Sequence, residues 1–247
     1  KEGTANNKKT LTERWNGSSW SIVSSPNPAV HYGAQLLEIS CVSSTSCAAV
    51  GRYVSATSFG SEYEAYAKEE KTLVESWNGS EWGIQSSPNP EGRKLSRLTG
   101  VSCVSATDCK AVGSAQKALT ELDKVTLAEH WNGTSWALKS TPNPALPPNP
   151  VNQAQLETVS CPSSSLCLAA GLDSNSGKGF GQRWNGSEWK ADSYLKELPS
   201  KPLGIVCPST TSCLVVGYKN SGSASVATAE KWTASGGIWA TEGEMTV

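Results

Sequence analysis

Eight cysteines fall into four pairs, and five residues separate the two members of every pair. Zinc ligands usually stand closer together in a sequence and often include histidine, of which this chain has two. The spacing therefore favours four disulfides over metal centres, and we expect each disulfide to form within its own pair. Disulfides persist in oxidising surroundings, so we also expect an extracellular, secreted protein. The pairs are Cys41 with Cys47, Cys103 with Cys109, Cys161 with Cys167, and Cys207 with Cys213.

Each cysteine pair belongs to a longer repeated half-unit. The first copy runs from Leu36 to Gly51, and further copies run over 98–113, 156–171 and, less regularly, 202–217. Around Val101, apolar and small polar residues alternate, which is the period of a half-buried strand. Because the chain must turn back between the two cysteines, the half-unit is predicted to be a β-hairpin closed by its disulfide.

A second half-unit contains two tryptophans and occurs five times. In its clearest copies Asn-Gly follows the first tryptophan, as Asn132-Gly133 does between Trp131 and Trp136. Asn-Gly is a strong hairpin signal because both residues tolerate positive φ, so the two tryptophans are expected to face each other. We expect the tryptophans to be structural; the alternative is a row of platforms for stacking sugars. The pairs are Trp15 with Trp20, Trp77 with Trp82, Trp131 with Trp136, Trp184 with Trp189, and Trp232 with Trp239.

Two hairpins per unit give four strands per unit. The sequence therefore predicts an all-β fold, a β-propeller of four-stranded blades, with five blades of which one is incomplete. Five tryptophan hairpins stand against four cysteine hairpins, so one inner hairpin is lacking. It lies upstream of Lys1, is replaced by a different closure, or comes from another molecule. We expect 1–247 to form one domain, with half a blade in 1–28 and full blades in 36–90, 98–144, 156–191 and 202–247.

The Ser-Cys-x5-Cys and Trp-Asn-Gly-Ser-x-Trp motifs together resemble the tandem repeats of predicted secreted bacterial β-propeller proteins. The resemblance covers nearly the whole chain. It implies the propeller fold and export from the cell, and it implies no particular activity.

The predicted strand order separates two ends of the blades. The disulfide and Asn-Gly turns share one end, while the connections that vary in length share the other. Tyrosine and phenylalanine concentrate at the variable end, and exposed aromatic residues on loops of a rigid scaffold are typical binding anchors. The alternatives are an aromatic loop packed on itself and an interface with a neighbouring domain. The candidate binding residues are Tyr32, Tyr53, Phe59, Tyr63 and Tyr66.

The sequence contains no recognisable catalytic motif. Neither His31 nor His130 has a motif partner, and we predict no catalytic residue, metal centre or cofactor. A glutamate recurs two residues before a tryptophan in four of the five copies, whereas glycosidases use one asymmetric carboxylate pair. We expect these glutamates to hydrogen-bond between strands or to an indole N–H. They are Glu13, Glu75, Glu129 and Glu230.

The net charge and the hydropathy of the sequence argue against nucleic acid and membranes as partners. The net charge of −1 provides no basic field for nucleic acid, and no apolar run reaches the ~20 residues of a membrane span. We therefore expect a non-enzymatic, lectin-like or protein-binding module that recognises a surface glycan or protein through its variable end. Two alternatives remain: a structural subunit that self-associates through the incomplete blade into oligomers or filaments, and a glycosidase-like propeller enzyme.

Overall fold

The structure is a computed structural model that describes residues 8–29, 32–58, 67–118, 121, 123–144, 151–192, 198, 201–221, 224–233 and 239–246. Within these ranges all regular structure is β-strand, which confirms the predicted all-β fold. No helix in the described chain is long and apolar enough to cross a membrane.

In this part of the chain, eighteen strands form four four-stranded antiparallel blades and one two-stranded hairpin. A single parallel pair, Glu70 with Leu95, joins blades 1 and 2 into one eight-stranded sheet. The hairpin is β1 (Thr12–Trp15) with β2 (Trp20–Val23). Blade 1 contains β3 (Ala34–Ser43), β4 (Ser46–Ser58), β5 (Ala67–Trp77) and β6 (Trp82–Gln85). Blade 2 contains β7 (Leu95–Ser105), β8 (Asp108–Gln116), β9 (Lys124–Trp131) and β10 (Trp136–Lys139). Blade 3 contains β11 (Ala154–Ser163), β12 (Leu166–Asp173), β13 (Lys178–Trp184) and β14 (Trp189–Ala191). Blade 4 contains β15 (Lys201–Ser209), β16 (Ser212–Ser221), β17 (Ala224–Thr233) and β18 (Trp239–Thr246).

All four predicted disulfides are present, each within its own inner hairpin. Their second cysteines differ in burial: Cys109, Cys167 and Cys213 are buried, whereas Cys47 is partly exposed. Blade 1, which contains Cys47, follows the two-stranded hairpin rather than a full blade, so less of its surface is covered. The bonds join Cys41 to Cys47, Cys103 to Cys109, Cys161 to Cys167, and Cys207 to Cys213.

The register inside the blades repeats from one blade to the next. The second cysteine of each pair lies opposite the first tryptophan of its blade, as Cys109 lies opposite Trp131. Trp131 is in turn directly opposite Trp136, with ring centroids 5.8 Å apart. The second cysteine and the two tryptophans of each blade therefore lie side by side at the turn end of that blade.

The Asn-Gly turns differ in one respect from the sequence prediction. Only the glycine adopts positive φ, as Gly133 does at 94°, and no non-glycine residue of the described chain does so. Asn132 acts instead through its side chain, whose Oδ1 accepts hydrogen bonds from the backbone N–H groups of Thr134 and Ser135. The turn is thus a four-residue loop held by an asparagine side chain, and of the two residues that tolerate positive φ only the glycine adopts it.

The hydrophobic core lies between blades. Val101, Ala111 and Trp136 of blade 2 pack on Val50 and on other apolar residues of blade 1. The opposite face of blade 2 packs in the same way on blade 3, and blade 3 packs on blade 4. The inner strands β3, β7, β11 and β15 are neighbours in that order. Four-stranded blades stacked through their faces with inner strands side by side are the arrangement of a β-propeller.

Polar contacts between blades repeat as well. The Oγ of Ser40 in blade 1 accepts a hydrogen bond from the Cys103 N–H in blade 2 at 3.0 Å. Ser102 and Ser160 make the same contact with the next blade, at 3.0 and 2.9 Å. The repeated Ser-Cys dipeptide therefore joins the blades by hydrogen bonds as well as closing the hairpins.

The two-stranded hairpin has the features of an outer half-blade. Its Arg14 lies over the Trp77 ring of blade 1, as Arg183 of blade 3 lies over Trp232 of blade 4. Leu11 is 63% exposed, whereas Leu73 at the same repeat position of blade 1 is 1% exposed. This repeat position is buried when an inner hairpin and a preceding blade cover it. The exposure of Leu11 therefore agrees with the predicted incomplete blade.

Candidate functional site

Two of the predicted binding residues lie together at the variable end of blade 1. The Tyr32 N–H donates to the Val54 carbonyl at 2.8 Å, and the Tyr32 side chain is exposed. Tyr53 lies opposite Ala34 in the β3–β4 ladder. The other three candidates, Phe59, Tyr63 and Tyr66, lie outside the described residues. The proposed role of all five in binding stays a prediction.

A polar cavity of about 210 Å³ opens at the same variable end. Neither Tyr32 nor Tyr53 lines it. Tyr53 follows Arg52 in β4, and successive side chains of a strand point to opposite faces, so Tyr53 faces away from the cavity. The lining residues are Arg52, Glu70, Leu95, Arg97, Ser114, Gln116 and Lys124.

The blade 1 side of the cavity contains an ion pair. Arg52 Nη1 contacts the Glu70 carboxylate, and the Glu70 side chain is buried. Arg52 Nη2 also donates to Gln35 Oε1 at 3.2 Å. Because its guanidinium is held by two partners on β3 and β5, Arg52 is a fixed positive charge at the cavity wall.

The opposite side is formed by blade 2, whose Arg97 and Lys124 contact Gln155 of blade 3. Arg97 Nη2 and Lys124 Nζ both donate to Gln155 Oε1, at 2.8 and 3.1 Å. Gln155 Nε2 donates in turn to the Glu157 carboxylate. Burial and the nearby Arg97 guanidinium lower the pKa of Lys124, while Glu157 acts in the opposite direction. The two cations are therefore close enough to repel each other.

Glycines in the neighbouring strands place these side chains. A Cβ on Gly113 would lie 2.0 Å from the Arg97 carbonyl oxygen, and a Cβ on Gly171 would lie 2.2 Å from that of Gln155. The register shifts by one residue immediately beyond, between Leu98 and Gly100 in β7. Such a bulge re-aims side chains locally. The repeated glycine thus allows the inner strand to approach closely where the cavity residues begin.

The sequence analysis missed the charged residues of this cavity. Glu70 pairs in parallel with Leu95, and Lys124 pairs in parallel with Gln153, in each case at the start of the next blade. The two residues therefore occupy corresponding positions of blades 1 and 2. Gln35, Arg97 and Gln155 likewise each precede the first leucine of their repeat. A comparison of the repeats at positions that vary in charge could have found them.

The repeated glutamates lie away from the cavity, between blades. Glu75 and Glu129 are fully buried, and each lies beside a serine of the preceding unit, Ser25 and Ser87 respectively. Burial raises the pKa of Glu75 to about 7 and that of Glu129 to about 8. Each of these two glutamates therefore hydrogen-bonds to the neighbouring unit, and the other expected partner, an indole N–H, is not the one that they contact. In blades 1 to 3 the indole N–H of the first tryptophan instead reaches a carbonyl oxygen of the disulfide turn, as Trp184 reaches that of Ser164.

Most tryptophans of the full blades are buried at the turn end. Trp77, Trp136, Trp184, Trp189 and Trp232 are all buried. A ring in such surroundings offers no free face for a stacked sugar. In the half-blade, by contrast, both tryptophans are exposed; they are Trp15 and Trp20.

A second, larger groove lies beside the half-blade. It has a volume of about 400 Å³ and is lined by 8–11 and 34–37. These residues flank β1 and the start of β3, at a place where the described part of the chain supplies no inner hairpin such as blades 1 to 4 have.

Comparisons with known proteins give low sequence identities and TM-scores below 0.5. No protein-family model and no curated protein matches the sequence. A solved structure of YCF48 bound to D1 peptide gives a TM-score of 0.48 at 15% identity, over 86% of this chain and 54% of that chain. The GH74 xyloglucanase from Xanthomonas campestris gives a TM-score of 0.38 at 13% identity, over 71% of this chain and 28% of that chain. This chain thus spans about half of the first structure and less of the second.

Proposed function

We propose that the protein is a secreted, non-enzymatic binding module that holds a surface glycan or a protein at its variable end. One observation carries the proposal: the cavity of about 210 Å³ is lined by charged residues that differ between repeats whose other positions are alike. Binding residues commonly vary on a rigid scaffold that does not. Glu70 and Lys124, of opposite charge at corresponding positions, illustrate this variation.

The disulfides support the extracellular part of the proposal. Four disulfides are present, and the described chain has no free cysteine. Such bonds favour an oxidising environment, since cytosolic thiols are kept reduced.

An array of glycans and extracellular proteins tests the binding function. The folded protein is expected to retain at least one array member without altering it. Tyr32→Ala and Arg52→Ala, both at the variable end, should weaken that binding about tenfold, an effect typical of an interface anchor. Glu81→Ala in an Asn-Gly turn is the matched control and should bind like wild type. Retention of nothing, or release of sugar from the array, would contradict the proposal.

A second candidate function, self-assembly, is favoured by the groove beside the half-blade. The edge of β1 lies beside exposed Leu11 and Trp15, and an open strand edge is a template for another strand. If a second chain adds a strand there, sedimentation should show concentration-dependent oligomers that Leu11→Glu abolishes. A monomer at all concentrations would exclude this function.

A further inference from the structure

The cavity at the variable end carries excess positive charge. Arg52, Arg97 and Lys124 line it together with one carboxylate, that of Glu70. Glu70 is already paired with Arg52, on the blade 1 side. The whole chain has a net charge of −1, so this concentration of cations is local. Glu157, which accepts from Gln155 and acts on Lys124, is a second nearby carboxylate, so three cations face two carboxylates and the local excess is positive. Such an excess attracts ligands of the opposite sign.

The two cations on the other side share a weak partner. Arg97 and Lys124 both donate to Oε1 of Gln155, which is the oxygen of a neutral amide. Both donors are cations, so these bonds are already charge-assisted, but a neutral amide oxygen carries no full opposite charge. A carboxylate that reached Arg97 and Lys124 would replace or join Gln155 as their acceptor and would add the attraction between opposite full charges. It would also offset the repulsion by Arg97 that, after burial, lowers the pKa of Lys124.

The size and lining of the cavity restrict what can enter. A volume of about 210 Å³ is smaller than the ~300–1,000 Å³ of typical small-molecule pockets. Such pockets are lined mainly by apolar and aromatic residues, whereas of the described lining residues only Leu95 is apolar. None of the described lining residues is aromatic, so the cavity offers no ring face on which an acidic sugar could stack, whereas an acidic side chain or chain terminus needs only the cations. Clusters of arginines commonly recognise acidic peptide motifs.

We infer that Arg97 and Lys124 bind a carboxylate of an acidic peptide segment in a partner protein, with Arg52 at the opposite wall. This inference rests on the proposed function and specifies its ligand. The partner is recognised by a side-chain or terminal carboxylate that enters the cavity from the variable end.

Binding of polyglutamate, measured by calorimetry at low salt, tests the inference. The protein is expected to bind this probe, and Arg97→Gln and Lys124→Gln should each weaken binding at least about tenfold, as for other desolvated charge pairs. Lys190→Gln removes one positive charge from the outer strand of blade 3, where Lys190 pairs with Glu188 at 2.9 Å, and should bind like wild type. Unchanged melting temperatures would show that the variants are folded.

A second variant supplies the carboxylate internally. Gln155→Glu, combined with Glu157→Gln so that the new carboxylate does not face the carboxylate of Glu157, places an ionised oxygen beside the positions of the Arg97 and Lys124 donors. This double variant should abolish polyglutamate binding in a folded protein. If it binds polyglutamate like wild type, the inference is overturned.

Three further results would also overturn it: no binding of polyglutamate, equal weakening by Lys190→Gln, and tighter binding of polygalacturonate with the same dependence on Arg97. The last result would identify an acidic glycan as the ligand. If an array ligand is lost in Tyr32→Ala but retained in Arg97→Gln and Lys124→Gln, the proposed function stands and this inference fails.

Discussion

The buried glutamates show how a single residue links two blades. Ser87 Oγ lies 3.0 Å from both carboxyl oxygens of Glu129 and 2.7 Å from Thr72 Oγ1. A hydroxyl has one proton to donate. A protonated Glu129 that donates to Ser87, which donates to Thr72, satisfies all three groups. The raised pKa of Glu129, about 8, agrees with a neutral carboxyl group at neutral pH.

This proton makes stability depend on pH. The pKa of Glu129 is about 8 in the folded protein and near its ordinary value of 4.5 in the unfolded chain, so the folded state binds more protons between these values. The free energy of unfolding should therefore fall as pH rises from about 4.5 to about 8. Glu129→Gln should reduce this fall, as measured by urea unfolding at several pH values. Glu13→Gln, at the exposed corresponding position, is the control; an unchanged slope in Glu129→Gln would contradict the account.

At the scale of the element, each blade depends on a glycine beside its inner strand. Gly51, Gly113 and Gly171 allow the second strand to lie against a bulged first strand. This close approach places the backbone of Arg97 at the cavity and that of Gln155 where its side chain contacts Arg97. The inner hairpin, which packs in the core, thus also positions residues of the candidate site.

Gly113→Ala is expected to destabilise the protein by on the order of 3 kcal/mol, because its Cβ would overlap the Arg97 carbonyl. Gly83→Ala in β6 is the control: a Cβ there meets nothing within 4 Å, and the change should be neutral within about 0.5 kcal/mol. Chemical denaturation measures both. Equal effects of the two substitutions would show that the close approach is absent.

The elements themselves could be predicted from the sequence because their signals repeat. Cysteine spacing predicted the disulfides, and paired tryptophans predicted the outer hairpins. The bulge could not be predicted, since it appears only when the register of β7 against β8 is known. The cavity could not be predicted either: Arg52 belongs to blade 1 whereas Arg97 and Lys124 belong to blade 2, and the three line one cavity only when these blades stack.

At the scale of the whole molecule, stability comes from faces shared between blades. Trp184 is 3% exposed because blade 3 packs against blade 2, whereas Trp15 is 47% exposed in the half-blade. The first tryptophan of the motif therefore contributes more to stability in a blade that packs on a preceding blade than it does in the half-blade.

Trp184→Ala should cost on the order of 3–5 kcal/mol of unfolding free energy, as for other buried aromatic residues. Trp15→Ala should cost less than about 1 kcal/mol, since the ring is half exposed. Thermal and urea unfolding compare the two. A large loss in Trp15→Ala would mean that the half-blade is covered in solution.

The central claim is that the variable end, rather than the turn end, binds the ligand. Amide hydrogen exchange of the protein with and without a ligand retained on the array tests it most directly. We predict slower exchange in the bound state at 52–54, 94–97 and 114–117, with the disulfide turns at 44–45 and 106–107 unchanged. Protection confined to those turns, with the variable end unaffected, would contradict the claim.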